Sequence, residues 1–196
     1  MGRLEQNISP DEERVKRYLE DRGFTVDRFS KEKTRTGKTP DFRVFQNTKF
    51  LFYCEVKSSV EDRWLDEKLN KASPGKLVGG ARTDPIYNRL TGAIHKAVQQ
   101  FDAVNKSRKH PNVLAILNHD DKCGFEDLIA IITGNFYAAD GTAHPIFRKF
   151  SHGRIKNEKE KIHLIIWLDD HGQDHRFFSE ADETHHLVLG AAFGKK

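Results

Sequence analysis

The chain has 196 residues, of which 37% are hydrophobic and 32% charged, enough for one domain with a sizeable core. No apolar run approaches the length that crosses a bilayer, and the first residues carry no hydrophobic leader. Two cysteines, Cys54 and Cys123, make neither a disulfide framework nor a zinc pattern. A cytoplasmic location without membrane contact is therefore expected. The net charge of +4 is unevenly spread: residues 1–110 hold 23 Lys+Arg against 16 Asp+Glu, and residues 111–196 hold 10 against 13. A basic half is what a phosphate-bearing partner needs, although a mild lysine excess is also ordinary solvation.

In chain order, Ser9-Pro10-Asp11-Glu12 predicts a helix start with a capping box, and the helix should run to about Arg22 before Gly23. Val15, Tyr18 and Leu19 form its apolar stripe, with Glu12 near the buried face and Glu13 toward solvent. Phe24–Phe29 is the first expected strand. Residues 30–39 form a polar, basic loop. Gly37-Lys38-Thr39 is no P-loop, because Glu32 stands where the first glycine is required and a strand follows. Arg35 and Lys38 in this loop are candidate phosphate contacts, or simply solvated.

Pro40–Val44 and Phe50–Lys57 are strand-like runs flanking a turn at 46–49. With a period of two, Glu55 and Lys57 share a face with Tyr53 and Leu51, while Phe52, Cys54 and Val56 fill the other. A strand apolar on both faces belongs in a covered sheet. A carboxylate and an ammonium on it must be paired or bind something. Asp41 on the adjacent strand can approach Glu55, and two carboxylates beside a lysine suit Mg²⁺. A surface ion pair is the alternative.

Residues 60–84 are charged and glycine-rich: a helix over 60–72, then loop, read as a substrate-contacting flap or a surface insertion. Lys68, Lys71, Lys76 and Arg82 are its candidate phosphate contacts. Residues 85–106 form a helix with a clear apolar stripe. A buried strand follows over 112–118, with a turn at 119–121. Residues 125–136 are expected as a helix, although Ile129, Ile131 and Ile132 would also suit a strand, 161–168 as a strand, and His185–Leu189 as an edge strand. The acidic and histidine-rich stretch 169–175 has no committed metal-ligand spacing and reads as a turn.

Pro40-Asp41, followed at the end of a hydrophobic strand by Glu55-Val56-Lys57, resembles the PD-(D/E)XK nuclease superfamily, the restriction-endonuclease-like fold. The resemblance covers a core of about 9–120 and implies a single α/β domain over 1–196, a mixed central sheet flanked by helices, with 121–196 as a sheet and helix extension. It implies Mg²⁺-dependent phosphodiester hydrolysis, with Mn²⁺ as a substitute and DNA as the foremost substrate. Asp41, Glu55 and the Val56 carbonyl would hold the ion, and Lys57 would position the attacking water. Glu12 would complete the metal site, unless it serves only its capping box. Gln100 and Lys96 match loosely the polar residues that the family places at the edge of the site. A homodimer is compatible with this reading. A non-catalytic nucleic-acid-binding or assembly domain on the same fold, and a chance match, remain the alternatives.

Overall fold

The computed structural model describes residues 8–60, 64–78, 86–146 and 152–194. In chain order the elements are α1 (Pro10–Glu20), β1 (Thr25–Arg28), α2 (Lys31–Thr36), β2 (Phe42–Gln46), β3 (Lys49–Val60), α3 (Trp64–Asn70) and α4 (Ile86–Val104). They continue with β4 (Asn112–His119), α5 (Phe125–Thr133), β5 (Asn135–Tyr137), β6 (Ala143–Pro145), β7 (Leu164–Asp169), β8 (Asp174–Phe178) and α6 (Glu183–Phe193). Among these, no helix is long and apolar enough to cross a membrane.

The fold is α/β. Six strands form one mixed sheet in the order β1-β2-β3-β4-β7-β8, and β5 and β6 pair separately. Strands β1, β2 and β3 meander antiparallel. The parallel pairs β3–β4 and β4–β7 need long crossovers, supplied by the segments carrying α4 and α5. Helices α1 and α6 cover one face: Val15, Leu19, Leu189 and Phe193 pack on Phe52, Cys54, Val56, Val113 and Ile166. Helices α4 and α5 cover the other, where Leu90, Ile94, Phe101 and Leu128 meet Leu114, Ile116 and Trp167. Strand β4 is therefore apolar on both sides, with residues 112–118 all buried.

Several expected elements differ. Strand β3 carries a bulge: Val44 pairs with Phe52 but Phe45 with Phe50, so Leu51 is the extra residue. Leu51 consequently packs with the α1 face, and Phe50 takes its place beside Tyr53, ring centroids 4.8 Å apart. The basic loop at 30–39 contains α2, started by the Ser30 hydroxyl accepting from Lys33 N–H. The helix at 125 stops at Thr133, because Gly134 turns into the left-handed region at φ 79° and the chain enters β5. His185–Leu189 is not an edge strand but part of α6, capped by Asp182. The sheet edge is instead β8, which opens at Asp174 within the stretch expected to be a turn. Two of the six strands thus lie beyond residue 120, so the sheet is not confined to the first part of the chain.

The helical placement of His185 has a consequence for stability. Its ring lies against that of His163, centroids 4.5 Å apart, and its Nε2 is 2.8 Å from the Arg108 carbonyl. His163 is buried, and its Nδ1 accepts the Asn112 N–H at 2.9 Å, which requires a neutral ring. Burial, reinforced by His185, lowers its pKa from 6.5 to about 4. A depressed histidine pKa means that the unfolded chain binds the extra proton first. Stability is therefore held above pH 6.5 and lost as pH falls toward 4, by up to about 3 kcal/mol. Urea melts across that window should show the decline, and His163→Gln, whose amide oxygen can accept the same N–H, should flatten it.

Candidate active site

The site forms where the antiparallel partner of β3 ends. Strand β2 begins at Phe42, opposite Cys54, so Glu55 and the residues after it have only β4 beside them. The Asp41 side chain supplies the missing acceptor: its Oδ2 accepts the Val56 N–H at 2.8 Å. Glu55 returns the bond, its Oε2 accepting the Asp41 N–H at 3.1 Å. Each carboxylate is thus fixed by the backbone beside the other. Lys57, two residues along on the same face, donates to Glu55 Oε1 and to Gln100 Oε1 of α4, the latter at 3.0 Å. Gln100 in turn donates to the Thr39 carbonyl at 3.0 Å, and Lys38 to Gln99. One helix thereby clamps both the strand lysine and the segment leading to Asp41.

The electrostatics are those of a crowded anionic pair. Glu55 is 1% exposed. Burial, then the Asp41 charge, raises its pKa to about 8, with Lys57 only partly offsetting them. Burial also raises Asp41, with Glu12 adding to the effect while the Val56 N–H and Lys57 oppose it. A buried and a half-buried carboxylate, both disfavoured in their ionised forms and set beside a fixed ammonium, are a common signature of functional sites. Cys54, directly beneath, is inert: burial pushes its thiol well above the ordinary range.

Glu12 makes its capping box with Ser9 and also accepts from Arg28 NH2 at 2.9 Å. Both contacts fall on Oε2, and its charge is felt at Asp41. It therefore caps α1 while sitting at the edge of the anionic pair. The start of α1 is held by a second set of bonds. Ser58 donates to Asp11, and His119, at the end of β4, lies between Asp11 at 3.0 Å and Asp170 at 2.7 Å. Burial lowers the His119 pKa, but these two carboxylates outweigh it and the net shift is upward.

The structure therefore brings Asp41, Glu55, Val56, Lys57 and Gln100 together, with Glu12 adjacent and Lys38 joined through Gln99. Lys96 is exposed one turn before Gln100 on α4. Lys68, Lys71 and Lys76 are exposed on α3 and the loop after it. The Arg35 side chain and all of Arg82 lie outside the described residues. Sequence reasoning does not single out Arg28, Gln99 or Thr39. Arg28 is 16 residues from Glu12, and Thr39 is 61 from Gln100, so no local pattern joins them.

Among the described residues, no group of three or more His, Cys, Asp or Glu side chains is arranged to hold a metal ion. The donor set is two carboxylates. It still fits a hard divalent cation, because Mg²⁺ commonly takes one or two protein carboxylates and completes its shell with water and substrate phosphate. No family model, curated protein or solved structure matches the chain.

Ionised Glu55 works against folding. Its raised pKa means the folded state holds a proton that the unfolded chain releases near 4.5. Stability should fall as pH rises from about 4.5 through about 8. In metal-free buffer, Glu55→Gln should melt above wild type at neutral pH and lose this decline, as thermal melts at several pH values would record.

Proposed function

We propose that the chain is a Mg²⁺-dependent nuclease that hydrolyses phosphodiester bonds, with DNA as its foremost substrate, on a restriction-endonuclease-like core. The observation that carries this reading is the reciprocal pair of half-buried Asp41 and buried Glu55, each bonded to the other's backbone and fixed beside Lys57. A purely structural ion pair needs one carboxylate for one lysine. A second carboxylate is more than one lysine balances: without a cation the pair retains a proton, and a divalent ion would take that proton's place.

Asp41, Glu55 and the Val56 carbonyl would hold the ion, with Glu12 the acid beside them. The chemistry such an ion would supply is polarisation of the scissile phosphate and acidification of a water. Lys57 orients that water and offsets negative charge on the phosphorane, its ammonium held in place by Gln100 and Glu55. Gln100 acts one step back: it keeps Lys57 and the Thr39 carbonyl at a fixed separation, and so keeps Asp41 in register with Glu55. Binding of the polyanion falls to the basic groups around the site, Lys38 and Lys96 foremost among those described.

Incubating the protein with supercoiled, linear and single-stranded DNA, and with RNA, with and without Mg²⁺, tests this reading directly. Asp41→Ala and Glu55→Ala should each abolish Mg²⁺-dependent cleavage. Lys57→Ala should lower the single-turnover rate by at least about a hundredfold with little change in affinity, because its charge matters chiefly in the transition state. Binding without turnover on any substrate would assign the chain to the non-catalytic alternative.

A further inference from the structure

Beyond Gln100, α4 leads away from the carboxylates and ends in a strongly cationic turn, Lys106-Ser107-Arg108-Lys109. Lys96, Gln99, Ala103 and Lys106 are all exposed, and at helical spacing they share the side opposite the buried Ile94, Phe101 and Leu90. Between His95 and His110 the sequence holds one acid, Asp102, and that acid is bridged to Lys161 at 2.7 Å. The nearby Glu158 is paired with His95 at 2.7 Å. One cation would suffice to complement the carboxyl end of a helix. Three exposed ones, with the local acid already neutralised, exceed that need.

The turn is also rigidly built. Arg108 sits in the left-handed region at φ 52°, unusual for a non-glycine residue. Its N–H donates to the Asn105 carbonyl at 2.9 Å, and its own carbonyl lies 2.8 Å from His185 Nε2. Asn105 Nδ2 donates across the turn to the His110 carbonyl at 2.7 Å. Beside it, Asp102, Ala103, Lys106, Arg108 and Lys161 line a polar cavity of about 530 Å³, roomy enough for a phosphate group and its hydration.

We propose that the outward side of α4 and the turn 106–109 form a track for the sugar-phosphate backbone of a nucleic-acid strand whose reacting phosphate lies at Asp41, Glu55 and Lys57. The position of the reacting phosphate rests on the nuclease reading; the track itself does not. From Lys96 to Val104, where it ends, the helix rises about 12 Å, the axial span of about four phosphates on one strand of a duplex. Lys96 begins the track one turn before Gln100, Lys38, bonded to Gln99, lies beside the site, Lys106 continues it, and Arg108 and Lys109 end it. Ala103 leaves the middle low enough for close approach of the backbone.

The test is fluorescence anisotropy of labelled duplex DNA, single-stranded DNA and RNA, without divalent ions, over a range of salt concentrations. Cleavage assays with Mg²⁺ run in parallel. Lys106→Gln with Lys109→Gln should lower the slope of log affinity against log salt by about two, each lost phosphate contact removing about 0.9 on a duplex. A control pair that removes the same charge elsewhere, Lys49→Gln with Lys156→Gln, should leave the slope unchanged. Equal slopes for wild type and the Lys106/Lys109 pair overturn the track, as does equal loss in the control pair, and either can occur while cleavage persists. A wild type that binds no nucleic acid also overturns it. Binding with the expected slope change but no cleavage sustains the track and removes the nuclease reading.

Discussion

The geometry of the site depends on one exchange of backbone bonds. Asp41 accepts the Val56 N–H and Glu55 accepts the Asp41 N–H, so two acids are locked together at the point where β2 stops accompanying β3. A ladder hydrogen bond is replaced by a carboxylate, which keeps the buried amide satisfied. That substitution also places the charge. Moving either acid by one residue would turn its side chain to the other face of the sheet, against Phe52 and Cys54. The bulge at Leu51 matters for the register: without the extra residue Phe42 would face Tyr53, whereas it pairs with Cys54, which brings Asp41 beside Glu55.

Such an arrangement costs stability. Hydrogen bonds and Lys57 offset only part of the desolvation, as the upward shifts of both carboxyl groups record. Cys54 and Phe52 behind and Gln100 in front are packed well enough that the pair cannot relax away. Strain of this kind persists in a fold when the surrounding packing over-determines it. Here the supports are α4 on one side and the capped first turn of α1 on the other, the latter pinned by Asp11, Ser58 and His119.

The elements most legible in the sequence were those with local signals. Ser9-Pro10-Asp11-Glu12 specified the start of α1, and the stripe from Ile86 to Phe101 specified α4. Alternation on β3 placed Glu55 and Lys57 on one face. The failures were local signals overruled by distant contacts. His185–Leu189 is apolar enough for a strand, but Asp182 caps a helix there and Leu189 and Phe193 pack against the sheet. Asp174 and His175 look like turn residues by composition. They form an edge strand because Trp167 and Leu168 offer a partner and Asp174 is held by Tyr18 and Arg22. The bulge at Leu51 left no mark in composition at all, since its cause is the register with β2.

Glu12 shows why one residue can satisfy two readings of a sequence. A capping-box glutamate lies in the first turn of its helix, and α1 enters the fold at the edge of β3, so the cap and the anionic pair share one neighbourhood. Arg28, at the end of β1, holds Glu12 through a 2.9 Å ion pair, and among the described residues Glu12 forms no three-acid metal cluster with Asp41 and Glu55. Its guanidinium has a second nitrogen, NH1, buried without a hydrogen-bond partner, a costly state for a cation. The Glu12–Arg28 pair is therefore less satisfied than Lys57, which has two acceptors, or Asp41, whose carboxylate takes a backbone N–H. It is the member of the assembly most readily rearranged when a further charge arrives. The rigid half of the site is the half built from strand backbone; the adjustable half is the half borrowed from a helix cap.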